Sequence, residues 1–235
     1  MIIKLAGIPI ETVFVHDDLL PLFSPFETDE PAIAEVSVTP GEIESVRGNY
    51  SSGLTDENIE YLELCSRYSD ILLDHGRAIF HGTAFIWRDK AWIFTGPSGT
   101  GKTTQYVLWK MLFKDDVQII NGDKPVLDFT ADTIEVYPSP WKGKEGMGQP
   151  LHAPLGGVIL LRQSKYNRVS RNDAAGAINQ ILQQLMFDID DKPRFYAAFD
   201  FAMRLLRDIP VWTLENDGTF ASAELCRDAL MPFTP

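Results

Sequence analysis

Residues 96–104 are the part of the chain whose types and spacing are best suited to chemistry. The run Gly96, Pro97, Ser98, Gly99, Thr100, Gly101, Lys102 and Thr103 matches the pattern G-x-x-x-x-G-K-[S/T], and Thr104 follows it. Glycines let backbone N–H groups converge on phosphate oxygens, and a helix starting near Gly101 would point its positive dipole end at the anion. The pattern therefore predicts a nucleotide site. Lys102 would lie between the β- and γ-phosphates, and the Thr103 hydroxyl would ligate Mg²⁺.

An acidic residue follows the next apolar segment. The predicted strand VQIIN ends in Gly122-Asp123-Lys124. A carboxylate at the end of a neighbouring strand can orient a metal ion or accept a proton from an attacking hydroxyl. The pair Gly-Asp is also common in turns that follow a strand, so spacing alone does not decide between a functional and a structural role for Asp123.

The elements that must position these residues alternate between strands and helices, which predicts an α/β fold. Apolar patterning predicts strands over 2–6, 11–16, 33–38, 78–87, 90–96, 117–123, 125–129, 156–162 and 210–215. Helices are predicted from Asp56 to just before His75, and over 102–113, 174–187, 193–208 and 221–231. We expect a small β-rich N-terminal module with one helix over residues 1–74, then a nucleotide-type core over 75–235.

Several segments together resemble the bacterial HPr serine kinase/phosphorylase catalytic domain and its shorter kinase relatives. They are HG at 81–82, GPSGTGKTT at 96–104, NGDKPVL at 121–127, SPWKGKEG at 139–146 and APLGGVILLRQ at 153–163. The family shares its nucleotide fold with ATP-dependent phosphoenolpyruvate carboxykinase, and the resemblance covers roughly residues 75 to 230. It implies a P-loop core of that type, with ATP and Mg²⁺ as cofactors.

The resemblance also implies roles for individual residues. His81 matches a histidine that lies in the family's active site, and Asp123 matches the aspartate that takes the proton from the substrate serine hydroxyl. Lys102 and Thr103 match the nucleotide lysine and the metal-ligating hydroxyl. Glu145 falls roughly where the family places a second acidic ligand, so the metal ligands implied are Thr103, Asp123 and Glu145.

This sequence departs from the family at two places. Its bifunctional members carry two adjacent aspartates where this chain has Gly122-Asp123, and a C-terminal signature rich in proline and arginine that is missing after residue 155. These departures favour kinase activity over phosphorylase activity. The N-terminal module resembles that of the short, monofunctional kinases found near peptide-modification systems.

Further cationic residues are candidates for assisting transfer. Lys142 and Lys144 lie in a glycine-rich loop that could close over phosphates as a lid, or could be a solvated surface loop. Arg162, Arg168 and Arg171 lie on or after a predicted strand, and the sequence does not select among them.

Several remaining residues are expected to be structural. The aromatic residues Phe195, Tyr196, Phe199 and Phe201 are expected to pack in the core. We expect His16, His75 and His152 to be structural, and Cys65 and Cys226 to be small buried side chains.

Composition limits the partners. The chain has 33 acidic and 21 basic residues, a formal net charge of −12, which disfavours nucleic acids and anionic membranes. The N-terminus is interrupted by Lys4 and Glu11, so it is not read as a signal peptide, and a cytoplasmic protein is expected. The sequence leaves a homo-oligomer open.

We therefore expect a Mg-ATP-dependent kinase that transfers the γ-phosphate to a hydroxyl, and the resemblance favours a serine of a protein or peptide. Two alternatives remain open. One is a small-molecule hydroxyl kinase on the same fold, and the other is a nucleotide-binding regulatory module without catalysis.

Overall fold

The computed structural model describes residues 1–234, which form a mixed α/β structure with a small sheet and a larger mixed sheet. The small sheet contains β1 (Ile2–Leu5), β2 (Ile8–Val13) and β3 (Ala34–Ser37). The larger sheet contains β4 (Arg77–Ile79), β5 (Gly82–Trp87), β6 (Lys90–Thr95), β7 (Val117–Asn121), β8 (Val126–Asp128), β9 (Glu135–Tyr137), β10 (Ala153–Gln163), β11 (Arg168–Arg171) and β12 (Val211–Asn216). The helices are α1 (Leu20–Phe23), α2 (Pro40–Val46), α3 (Asp56–Asp74), α4 (Lys102–Phe113), α5 (Ala174–Leu182), α6 (Lys192–Asp208) and α7 (Phe220–Leu230).

The small sheet begins with a tight hairpin. Ala6 and Gly7 both have positive φ, at 45° and 84°, as a two-residue turn between antiparallel strands requires. This turn starts β2 at Ile8, three residues earlier than the sequence predicts, because the hairpin register pairs Leu5 with Ile8 and Lys4 with Pro9.

Helix α3 has the predicted bounds. The Thr55 side chain accepts a hydrogen bond from the N–H of Asn58 and so caps its first turn. Its apolar face, which includes Cys65, Tyr68 and Leu72, is fully buried beneath the small sheet. This core also takes in Ile79, Val126 and Trp141 from beyond residue 74, so the two parts of the chain pack on each other. The proposed domain boundary stays a prediction.

The larger sheet brings three strand ends to one edge. Strand β10 pairs in parallel with β6 and β12, while β5 lies between β6 and β7 and is antiparallel to both. The carboxyl ends of β6 and β7 therefore lie at the same edge as the amino end of β5. Gly96 follows β6, Gly122 follows β7, and His81 precedes β5, so the topology gathers the candidate residues there.

Two predicted elements end differently in the structure. The predicted strand 78–87 is divided into β4 and β5 at Phe80 and His81, and the predicted helix 174–187 stops at Leu182. The reason is tertiary pairing, because the N–H of His81 donates to Gln184 O and the N–H of Met186 donates to Ile79 O. Strands β9 and β11 and helices α1 and α2 were not predicted.

The remaining sequence predictions concern burial. Cys65 and Cys226 are fully buried free cysteines, as expected. The core prediction for the α6 aromatics is wrong for Tyr196 and Phe199, which are 65% and 38% exposed, because they lie on the outer face of the helix. Among residues 1–234, no helix combines the length and apolar character needed to cross a membrane.

Candidate functional site

A cleft of about 610 Å³ opens at the sheet edge where β5, β6 and β7 meet. Its walls come from the loop after β6, the first turn of α4, the turn after β7 and a later loop. The lining residues are His81, Ser98, Gly99, Gly101, Lys102, Thr103, Thr104, Gly122, Asp123, Lys124, Lys142, Gly143, Lys144, Glu145 and Met147. Both candidate motifs therefore face one cavity.

The glycine-rich loop, residues 96–103, curls around the ammonium group of Lys102. Gly96, Gly99 and Gly101 all have positive φ, a conformation that side-chain-bearing residues rarely adopt. The Nζ atom of Lys102 lies 3.0 Å from Gly96 O and 3.4 Å from Pro97 O. Burial lowers the pKa of Lys102, and the nearby Asp123 carboxylate opposes this effect. The loop thus holds a cation at its centre.

Helix α4 begins directly at this loop. Gly101 occupies the N-cap position, and no side chain caps the helix. The N–H groups of the first turn, from Lys102 to Thr104, precede the first intrahelical bond, which runs from the N–H of Gln105 to Gly101 O. Donors at an uncapped helix N-terminus favour an anion, and Thr103 and Thr104 both line the cleft.

Asp123 is positioned by a turn built on Asn121. The buried Asn121 side-chain oxygen accepts hydrogen bonds from the N–H of Asp123 at 2.9 Å and of Lys124 at 2.7 Å. Its amide nitrogen donates to Ser139 O at 3.0 Å. Because every polar atom of this buried side chain has a partner, the turn after β7 is held in one geometry. Asn121 is not among the site residues expected from the sequence, although an Asn side chain often hydrogen-bonds the backbone two residues further on in a turn.

The Asp123 carboxylate has two cationic or polar neighbours. Nζ of Lys124 lies 2.7 Å from its Oδ2 atom, and Nε2 of His81 lies 3.5 Å from its Oδ1 atom. Burial by itself raises the pKa of Asp123, but the hydrogen bond from His81 and the charge of Lys124 outweigh it. The resulting pKa lies well below the ordinary 3.8. Asp123 is therefore an ionised acceptor.

His81 owes its place to Gln184, a residue that sequence analysis missed. The break between β4 and β5 puts the His81 backbone against the chain after α5, where its N–H donates to Gln184 O at 2.7 Å. On the side chain, Nδ1 of His81 lies 3.1 Å from Gln184 Oε1. Gln184 is 93% buried, since only 7% of it is exposed. No sequence signal indicates this contact, because apolar periodicity predicts that Gln184 lies within a helix.

Gly122 is required by the close approach of the loop that starts at Ser139. A Cβ atom at this position would lie 2.7 Å from Lys142 O and 3.1 Å from Met147 O. The N–H of Gly122 also donates to Met147 O at 2.8 Å. The space that a side chain at position 122 would need is therefore filled by the backbone of another segment.

That segment, residues 139–148, is anchored at both ends; we call it the anchored loop. At its start the Trp141 ring is fully buried in the α3 core, 5.2 Å from the Tyr68 ring, and its Nε1 donates to Tyr61 O at 2.9 Å. At its end Gly148 pairs with Asn121 in an isolated bridge. Lys144 and Glu145 lie in the exposed middle part and reach the cleft wall. Closure of residues 142–148 as a lid stays a prediction.

The three candidate arginines do not line the cleft. Arg162 lies on the far side of the glycine-rich loop, beside a separate cavity of about 320 Å³. Arg168 and Arg171 lie on the edge strand β11, and Arg171 stands over the Phe233 ring. The cations that do line the cleft are lysines, namely Lys102, Lys124, Lys142 and Lys144. In the sequence, Lys124 stands out only as the last residue of the Gly122-Asp123-Lys124 segment, and no role is predicted for it.

The implied metal ligands Thr103, Asp123 and Glu145 line the same cleft. Within residues 1–234, no three His, Cys, Asp or Glu side chains converge on a position that could hold an ion. The hydroxyl of Thr103 and the carboxylates of Asp123 and Glu145 are oxygen donors, the ligand type that Mg²⁺ takes in proteins.

Comparison with known proteins gives no independent assignment for this arrangement. No protein-family model and no curated protein matches the chain.

Proposed function

We propose that the protein is a Mg-ATP-dependent kinase of the HPr kinase type, with a P-loop nucleotide core, that phosphorylates a serine hydroxyl of a protein or peptide. One observation carries the proposal. The glycine-rich loop with its central lysine and the ionised Asp123 face each other across one cleft of about 610 Å³. A phosphate-binding element and a hydroxyl-binding carboxylate are the two parts that phosphoryl transfer needs.

The residues of the glycine-rich loop would hold the nucleotide. Lys102 would exchange its bonds to Gly96 O and Pro97 O for phosphate oxygens, and the free N–H groups at the start of α4 would add further donors. The Thr103 hydroxyl and the Glu145 carboxylate would hold magnesium, and magnesium binding by Asp123 is the alternative to the acceptor role described next. Bound Mg-ATP supplies the phosphoryl group and neutralises part of its charge.

Asp123 would act on the acceptor. Its carboxylate accepts a hydrogen bond from the serine hydroxyl and orients the oxygen towards the γ-phosphorus. The new O–P bond forms as the bond to the leaving β-phosphate oxygen breaks, and the bonding electron pair leaves with ADP. Because the Asp123 pKa is depressed, the proton moves to the carboxylate late, once the oxygen has begun to bond to phosphorus.

The lysines that line the cleft, together with His81, surround the Asp123 carboxylate and the proposed phosphate site. Lys124 is ion-paired with Asp123, and His81 lies on the other oxygen of the same carboxylate. Four lysines in a chain of net charge −12 form a local cationic site that favours a polyphosphate. The acidic remainder of the surface is consistent with a kinase that does not bind nucleic acid.

A labelling experiment tests the proposal. The full chain is incubated with Mg²⁺, γ-labelled ATP and a pool of degenerate peptides with one fixed serine, and the label on peptide is measured. We expect incorporation that needs Mg²⁺ and is lost in Asp123→Asn. Nucleotide binding without transfer to any peptide would contradict the peptide kinase, and ADP formation that depends on an added metabolite would instead support a small-molecule kinase.

A further inference from the structure

A second cavity, of about 230 Å³, adjoins the cleft. The two cavities share Lys142 and Gly143 of the anchored loop. The opposite wall of the second cavity comes from the N-terminal part of the chain, around α1 and the first turns of α3. Leu19, Pro21, Leu22, Glu57, Asn58 and Tyr61 form that wall.

This cavity opens close to the candidate acceptor carboxylate. Gly143 packs directly on Asp123, since a Cβ atom at Gly143 would lie 3.0 Å from Asp123 Cβ and 4.0 Å from its Oδ1. An extended chain advances by about 3.3–3.6 Å per residue. A polypeptide with its hydroxyl at Asp123 therefore reaches the shared rim at Lys142 and Gly143 within one or two residues.

The wall of the second cavity combines apolar side chains with the Asn58 amide and one acidic group, and the Lys142 ammonium at the rim lies over the Phe26 ring, 5.9 Å from its centroid. Leu22 is 38% exposed, and the Tyr61 hydroxyl is already used, because it donates to Pro140 O at 3.1 Å. Glu57 is half-buried and forms no ion pair with any residue in 1–234. An apolar surface beside an unpaired carboxylate, on a chain of net charge −12, complements an apolar side chain next to a cationic one.

The N-terminal part of the chain and the anchored loop are held together at this cavity. Trp141 fixes the start of the loop in the α3 core, and its indole N–H bonds to the backbone of Tyr61 itself. The wall of the second cavity and the start of the anchored loop at Trp141 are therefore parts of one packed unit, and such rigidity is what a specificity site needs.

We propose that this cavity is the acceptor subsite, which binds the polypeptide next to its phosphorylated serine and selects an apolar residue flanked by lysine or arginine. The proposal rests on the proposed kinase function and names its substrate class. In this proposal the N-terminal part of the chain selects the acceptor, and the glycine-rich loop and Asp123 perform the transfer.

The test reads out sequence preference in the degenerate serine-peptide pool described above. We expect the wild-type chain to enrich apolar and basic residues within two positions of the serine. Leu22→Ala should reduce the apolar preference about tenfold, as for lost methylenes in a partly apolar pocket. Glu57→Lys should remove a basic preference of about threefold, the size expected for a solvent-accessible ion pair, and should favour acidic residues instead.

Matched controls are available on α7, away from both cavities. Leu225 is 38% exposed, the same fraction as Leu22, so Leu225→Ala removes an equivalent side chain. Glu224 is an exposed glutamate on the same helix, and Glu224→Lys reproduces the change of charge. Both controls should keep the wild-type preferences, and urea unfolding should show that all four variants are folded.

The outcomes separate the two proposals. Transfer to peptides with no flanking preference, or a preference that Leu22→Ala and Glu57→Lys leave unchanged, would overturn the acceptor subsite and leave the kinase standing. If no peptide is labelled although ATP binds, both the peptide-kinase function and the subsite are overturned.

Discussion

Nζ of Lys124 lies 2.7 Å from Oδ2 of Asp123, its neighbour in the chain. The carboxylate proposed to receive the acceptor hydroxyl is thus ion-paired within its own turn. Since the Asn121 side-chain oxygen accepts hydrogen bonds from the N–H groups of Asp123 and Lys124, the turn holds this ion pair in place. This arrangement makes Asp123 an ionised hydrogen-bond acceptor, and it leads to two of the predictions below.

Replacing Lys102 should remove tight nucleotide binding. Lys102→Ala deletes the cation at the centre of the glycine-rich loop, and charge-assisted bonds to phosphate are among the strongest that a protein makes. Isothermal titration with a non-hydrolysable ATP analogue in magnesium buffer measures the effect. The control is Lys165→Ala, an exposed lysine outside the cleft, which should bind as wild type does. Unchanged affinity in Lys102→Ala would refute the phosphate-loop assignment.

Asp123→Asn should slow transfer while leaving the nucleotide bound. Asparagine keeps the size and turn-forming ability of aspartate, but an amide does not take up the hydroxyl proton. We expect single-turnover transfer to fall by about 10²–10⁴-fold, with nucleotide affinity within a few-fold. If Asp123 mainly binds magnesium, the affinity for Mg-ATP will fall together with the rate. Transfer at a rate close to that of wild type would leave Asp123 as a turn residue.

The depressed pKa of Asp123 also predicts how stability depends on pH. A carboxyl group whose pKa is lower in the folded state stabilises that state above its unfolded pKa, near 3.8 here, and this contribution is lost as pH falls further. Urea unfolding of the wild type and Asp123→Asn should give a difference in unfolding free energy that shrinks as pH falls below about pH 4. A difference that stays unchanged as pH falls from about 5 to about 2 would show that the folded state does not depress the pKa of Asp123.

Gly122→Ala should destabilise the protein and displace the anchored loop. The new Cβ atom would meet Lys142 O at 2.7 Å, so the loop must move away from β7. Overpacking of this kind costs about 1–3 kcal/mol in unfolding free energy. Gly41→Ala is the control, because a Cβ atom there meets nothing within 4 Å, and it should cause no loss of stability. Equal stability of the two variants would show that the loop does not need glycine at position 122.

Trp141→Phe should loosen the anchored loop. The substitution leaves Tyr61 O without its indole donor and removes part of a fully buried ring, a loss of about 2 kcal/mol. Trypsin should then cleave faster after Lys142 and Lys144. Trp92→Phe is a matched control, because Trp92 is also fully buried and its Nε1 donates to Trp87 O at 3.1 Å. If both variants are cleaved there at the same rate, Trp141 does not anchor the loop.

The amino-acid sequence by itself determined the local elements around the candidate site. Helix α4 has the predicted bounds because its apolar positions repeat at helical spacing after a glycine-rich start, and α3 has them because Thr55 caps it and its apolar face is continuous. The alternation of strands and helices indicated the mixed α/β fold. These signals are local, and they depend on propensity, capping and periodicity.

Only the tertiary structure decided which residues meet. His81 contacts Asp123 because β5 is antiparallel to both of its neighbouring strands. The chain after α5 is not helical, because Gln184 and Met186 form backbone hydrogen bonds with His81 and Ile79. Gly122 cannot carry a side chain unless the anchored loop moves, because Trp141, buried in a distant core, holds the loop against it. Such contacts join residues far apart in the chain, and backbone hydrogen bonding and close packing between elements determine them, which local sequence patterns do not encode.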